Sequence, residues 1–148
     1  MNTQTNHEPD DRPEAVQQAD VGARAWRAVV HAQRGAAPDH ADFYNLAGHL
    51  VDTFAAIESL ARLLADPVCS YADRQPPGKR VYDDARGVDP RREDPRERLI
   101  DARCDLDQLA IAAGCALDVA NRFWSAISHI GVEDIAPGER PVEGEEPR

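Results

Sequence analysis

Leu109-Ala110-Ile111-Ala112-Ala113-Gly114-Cys115-Ala116-Leu117 is a run of nine residues without a charge, in a chain where 30% of residues are Asp, Glu, Lys or Arg. A helix on the surface of a small bundle is apolar on one side and polar on the other, whereas this segment is apolar all round. It therefore predicts a helix covered on more than one side, with Ala and Gly letting a neighbouring backbone come close.

Outward from that run, Leu99, Leu106, Ala113, Ala120 and Ile127 recur every seven residues. Calling those positions a, the d positions hold Ala102, Leu109, Ala116, Phe123 and Ile130, and Ala110, Leu117 and Trp124 widen the stripe at e. Asp94-Pro95-Arg96-Glu97 supplies an N-cap, a proline at the first helical position and an acid two residues later. Gly131-Val132 reads as a Schellman stop. The pattern predicts a helix over about 95–130, on the order of 54 Å long.

A second stripe lies upstream, with Phe43, Leu50, Ile57 and Leu64 at a, Leu46, Thr53 and Leu60 at d, and Ala47, Phe54 and Ala61 at e. Asp39 is its N-cap, and Asp66-Pro67 predicts its end, because a residue before proline avoids helical dihedrals. This gives a helix over about 40–65. A thinner stripe, Val16, Ala19, Ala23, Trp26 and Val30, lies between Pro13 and Gly35 and predicts a helix over about 13–34. Residues 67–94 are rich in proline and charge and form a long connection, a length that marks function or disorder. The expected fold is all-α: an antiparallel three-helix bundle over 13–132 with two long helices, the first helix leaning on the other two. The acidic tails 1–12 and 133–148 are expected to be disordered, and the loop 67–94 to be long and charged.

Composition narrows the function classes. The chain has 148 residues and a net charge of -10, more than half of it in the two tails, and a mean hydropathy of -0.58. That length fits one domain with a modest core, and an acidic body repels phosphate backbones. Three cysteines (Cys69, Cys104, Cys115) without CxxC spacing suggest neither a zinc site nor a disulfide framework and fit a reducing compartment. The N-terminus lacks the basic and apolar regions of a signal peptide. No apolar run approaches the roughly 18 residues of a membrane span. A cytoplasmic location is expected, with no membrane partner.

Four clusters carry possible chemistry. Asn45, His49 and Asp52 share a helical face, but no further His or Glu completes a catalytic zinc set. Arg122 and His129 fit the loose Arg-x4–6-His spacing of HEPN-type helical ribonucleases, which are dimeric bundles. Arg24 with His31 and Arg34 with His40 fit it too, and Asp118 offers Arg122 an ordinary ion pair one turn away. Asp101, Asp105 and Asp107 gather near the start of the third helix, where its dipole favours carboxylates. The loop arginines (Arg74, Arg80, Arg86, Arg91, Arg92, with Arg96 and Arg98) are interleaved with acids and leave the stretch nearly neutral. No phosphate-binding glycine loop and no nucleophile elbow occurs. No cofactor and no metal is expected.

Packing offers the remaining signal. Ile100, Cys104, Ile111, Gly114 and Cys115 form a patch on the far side of the third helix, and with Leu117 and Trp124 they are the expected interface residues. Segments Asp42–Asp52 (DFYNLAGHLVD) and Phe123–Glu133 (FWSAISHIGVE), with a bias toward Arg over Lys and toward Ala, resemble short helical proteins encoded in high-GC actinobacterial genomes. The resemblance spans about two-thirds of the chain, implies a helical fold and carries no activity. The expected function is a small intracellular helical interaction or scaffold protein without catalysis, associating as a homodimer or with a helical partner. Its alternatives are a HEPN-like ribonuclease or toxin using Arg122 and His129, and an accessory nucleic-acid binder using the loop arginines.

Overall fold

A computed structural model describes residues 11–83 and 94–131. It contains three helices in the order α1 (Glu14–Gln33), α2 (His40–Cys69) and α3 (Arg96–Ser128), with no strand among the described residues. Residues up to Asp39 form one compact unit and those from His40 onward a second. The expected tails, apart from residues 11 and 12, and Arg86, Arg91, Arg92 and Val132 lie outside the described residues.

Within the first unit, α1 begins directly after Pro13, whose carbonyl accepts the Val16 and Gln17 N–H groups. Asp20 pairs with Arg24 one turn on, at 3.1 Å. No residue of this helix is buried, and Trp26 of its apolar stripe is half-buried.

The second unit is built on α2 packed against α3. Both helices differ at their ends from the sequence expectation, for local reasons. α2 runs through Pro67 to Cys69. A proline this close to a helix end removes only one late N–H donor. The Asp66 carbonyl, in turn, accepts both the Ser70 N–H at 3.0 Å and the Ser70 hydroxyl at 2.7 Å. The chain then turns at Pro76-Pro77-Gly78-Lys79, where the Lys79 N–H reaches the Pro76 carbonyl at 3.1 Å. Gly78 has φ of 89°, the left-handed value that position three of a type II turn requires.

Pro95 lies just before the first helical residue of α3, yet Asp94 still acts as the cap: its Oδ1 accepts the Arg96 N–H at 3.1 Å. At the other end the Schellman stop at Gly131 is absent. α3 finishes at Ser128, with His129 at φ -100°. The Ile130 N–H reaches back three residues to the Ile127 carbonyl at 3.1 Å. That tighter closing turn needs no left-handed residue.

The contact between α2 and α3 is lined by alanine. Ala47, Ala61 and Ala65 of α2 and Ala110, Ala113 and Ala120 of α3 are the buried apolar residues. No large side chain in the described residues is fully buried. Four ties fix the register. His40 Nε2–H donates to the Ile127 carbonyl at 2.8 Å, and the Tyr44 and Trp124 rings lie 5.6 Å apart at 53°. The Glu58 carboxylate sits over Gly114, and Arg103 lies 3.5 Å from Asp66.

Candidate interaction face

These ties decide which side of each helix meets the other. With 3.6 residues per turn, each step rotates the chain by about 100°. On α2 the inward positions are Tyr44, Ala47, Phe54, Glu58, Ala61 and Ala65, which correspond to e and b of the sequence frame rather than to a, d and e. The correction has a steric basis. Small side chains let two backbones approach closely, so the alanine stripe forms the contact and the larger a and d residues are displaced to one side. On α3 the inward residues are Ala110, Ala113, Leu117, Ala120 and Trp124, mainly a and e, while d turns away.

What turns away is large and apolar. On α2, Phe43, Ile57, Leu60 and Leu64 are exposed, and Leu46 and Leu50 are half-buried. On α3, Leu109 is 48% exposed, Val119 55% and Ile130 54%, with Phe123 close behind. Both stripes lie about 90° from the alanine contact. On α3 no charged residue enters the stripe from Leu109 to Ile130, and on α2 none enters it from Phe43 to Leu64. An exposed apolar surface of this extent is unusual on a protein that works alone.

The expected interface residues separate into two groups. Leu117 and Trp124 are half-buried and face α2, and Gly114 is half-buried, with Glu58 about 3.6 Å from where a β-carbon would lie. These three lie on the side of α3 that meets α2 within the chain; of them, only Gly114 was expected on the far side of the helix. Ile100, Cys104, Ile111 and Cys115 do lie on the outer side of α3 and are exposed, Ile111 at 65%. They share that side with Glu97, Gln108, Asp118 and Arg122, so the patch is narrow and interrupted.

The chemical clusters are open to solvent. Asn45, His49 and Asp52 line a cleft of about 240 Å³ with Tyr44, Gly48, Val51 and Trp124. The Trp124 indole N–H is enclosed and has no hydrogen-bond partner among the described residues. No group of three His, Cys, Asp or Glu residues placed to hold a metal occurs among the described residues. Arg122 and His129 are both exposed, on the outer side of α3 and at its terminal turn. Asp101 and Asp105 are exposed on the first turns of α3, and Asp107 lies 3.9 Å from Arg103. Of the loop arginines, Arg96 reaches Asp73 at 3.1 Å and Arg98 reaches Asp83 at 2.7 Å. These pairs tie the start of α3 to the segment after α2.

Arg103 joins the two helix ends from the other side. Its guanidinium is held above the ordinary arginine range, first by a hydrogen bond with Cys69 and then by the charge of Asp66. Arg96 is raised in the same direction, chiefly by its hydrogen bond to Asp73. Both side chains are exposed to solvent, so these are positioning contacts of small energetic weight.

Sequence reasoning passed over His40, Tyr44 and Glu58, which set the register of the pair. Their signal was available as the sevenfold spacing of Tyr44, Val51, Glu58 and Ala65, one stripe beside the more obvious one. Comparison of the chain with family models, with curated proteins and with solved structures finds no match.

Proposed function

We propose that this chain is a small intracellular helical interaction protein without catalytic activity, which acts by associating through helical faces, as a homodimer or with a helical partner. The observation that carries the reading is the mismatch between its core and its surface. The pair buries alanine, while Phe43, Ile57, Leu60, Leu109, Val119 and Phe123 remain exposed. Burying an apolar side chain of that size contributes about 1.5–3 kcal/mol, so these residues have most to gain from a partner.

In this reading α2 and α3 run antiparallel. Support comes from the ties: as the α2 residue advances from 40 to 66, the α3 residue it meets falls from 127 to 103. The intracellular setting is supported by three free thiols, two of them exposed. No helix among the described residues is long and apolar enough to cross a membrane.

Light scattering of the purified chain at micromolar concentration tests the proposal. The expected mass is about twice 16.3 kDa. A monomer whose α2 and α3 stripes are protected from hydrogen exchange as in a closed core refutes it.

A further inference from the structure

We infer that the occupant of the apolar face is a second copy of this chain, with α2 of each copy lying over α3 of the other to form a four-helix bundle. This deepens the reading above and rests on it. The argument begins with the two stripes. Looking down the pair, each stripe is reached by rotating from the alanine contact in the same sense along its own helix. Helices running in opposite directions then place both stripes on one side of the two-helix layer. The registers also agree, since the ties at Tyr44 with Trp124 and Glu58 with Gly114 bring residues 43–60 of α2 beside residues 109–126 of α3.

The face has the size of a stable dimer interface. About 22 residues along α2 correspond to about 32 Å, and two helices 8–10 Å apart are about 18 Å wide. The corrugated surface of such a patch is about 600–800 Å² per copy, within the range of standard specific interfaces.

Its chemistry fits a copy of itself better than a charged partner. The chain carries a net charge of -10, yet neither stripe contains a charge. An acidic or basic partner would find nothing on it to pair with, and an anionic membrane surface would meet Asp42 and Asp105 at its rim. A two-fold axis parallel to the helices keeps the register of the pair. It sets Ile57 over Ala112 of the second copy, Phe43 over Ala126 and Thr53 over Ala116. The same register sets Leu46 over Phe123, Leu50 over Val119 and Leu60 over Leu109, so large-over-small contacts at Phe43 and Ile57 alternate with contacts between large apolar groups. Every helix in such a bundle is antiparallel to both neighbours, the up-and-down arrangement of four-helix bundles, and the interface is self-complementary.

The test is sedimentation equilibrium of the full chain and of variants on two sides of α3. Ile57→Glu and Ala112→Arg each place a charge in the face. Ile111→Glu places one on the outer side of α3, and all three sites are exposed in the single copy. Circular dichroism monitors whether each variant keeps its helicity. The wild-type chain and Ile111→Glu are expected to be dimeric. Ile57→Glu and Ala112→Arg are expected to weaken the dimer at least about a hundredfold while staying helical, because each leaves an unpaired charge in an apolar interface. The double variant Ile57→Glu/Ala112→Arg is expected to recover dimerisation, since the two charges then face each other across the axis.

If Ile111→Glu dissociates a dimer that Ile57→Glu leaves intact, this face is wrong, while association through helical faces stands. A dimer lost in both single variants and not recovered in the double overturns the placement of α2 over α3. A wild-type chain that is monomeric overturns the second copy as occupant.

Discussion

Replacing Ala61 by Leu is the sharpest test of the alanine contact. Ala61 is 2% exposed, and the ties at Glu58 with Gly114 and Asp66 with Arg103 place it opposite α3 near Ala110. A leucine there adds three carbons where two backbones meet through methyl groups. Either its side chain leaves a favoured rotamer or the helices part, and overpacking of this kind costs about 1–3 kcal/mol. Parting also reduces the contacts of Ala65, Ala110 and Ala113, so a cost of about 2 kcal/mol is expected. For a unit of this size each kcal/mol moves the melting midpoint by about 4–8 °C, giving a fall of about 8–16 °C. The matched control is Ala56→Leu, which makes the same chemical change on an exposed position of the same helix and should stay within about 0.5 kcal/mol. Thermal unfolding followed by circular dichroism at one fixed protein concentration reads both, because the midpoint of an associating chain depends on concentration. Performing both substitutions in the Ile57→Glu background separates the contact within the chain from any contact between copies. If Ala61→Leu unfolds like Ala56→Leu, or is more stable than wild type, the close approach of α2 and α3 at this point is refuted.

Further outcomes follow from single contacts. Gly114→Ala should stabilise the chain by about 0.5–1 kcal/mol, because a mid-helix glycine is replaced and the nearest atoms to the new β-carbon are those of the Glu58 side chain, in ordinary contact at 3.6 Å; a lower midpoint in urea would show that the helices are closer than this. Asp94→Ala should cost about 1 kcal/mol by removing the acceptor of the Arg96 N–H, with Asp94→Asn recovering most of it, and equal losses for the two variants would assign the effect to charge. Arg62→Ala removes a 2.7 Å pair with Glu58 and should cost no more than about 0.5 kcal/mol, fading with added salt; a larger loss measured by denaturation would contradict a surface pair. The purified chain should leave RNA intact, and cleavage that disappears in His129→Ala would overturn the non-catalytic reading.

The helices were legible in the sequence because their punctuation is local. Asp94-Pro95, Pro38-Asp39 and Pro13 act within one turn, and the structure begins each helix within a residue of the expected place. The ends were less legible. Asp66-Pro67 is a stop only by tendency, and a proline in the last turn is accommodated because it removes only one late N–H donor. Gly131 has the chemistry of a left-handed cap, but the helix had already closed by a backward bond from Ile130.

The inward face of α2 was the deeper miss. Periodicity marks which positions are apolar and gives no information on which of two adjacent stripes meets the neighbour. Transfer energy alone favours turning Phe43, Ile57 and Leu64 inward. Close packing of two helices favours the alanine stripe beside them, and with only one neighbour present the closer approach prevails. The residues with the larger transfer energy are then left to a second surface. This accounts for two sides of the run Leu109–Leu117: Ala110, Ala113 and Leu117 meet α2, while Leu109, Ala112 and Ala116 lie on the face proposed to meet a second copy. On the proposed reading, its uncharged stretch serves an assembly larger than the pair of helices that contains it.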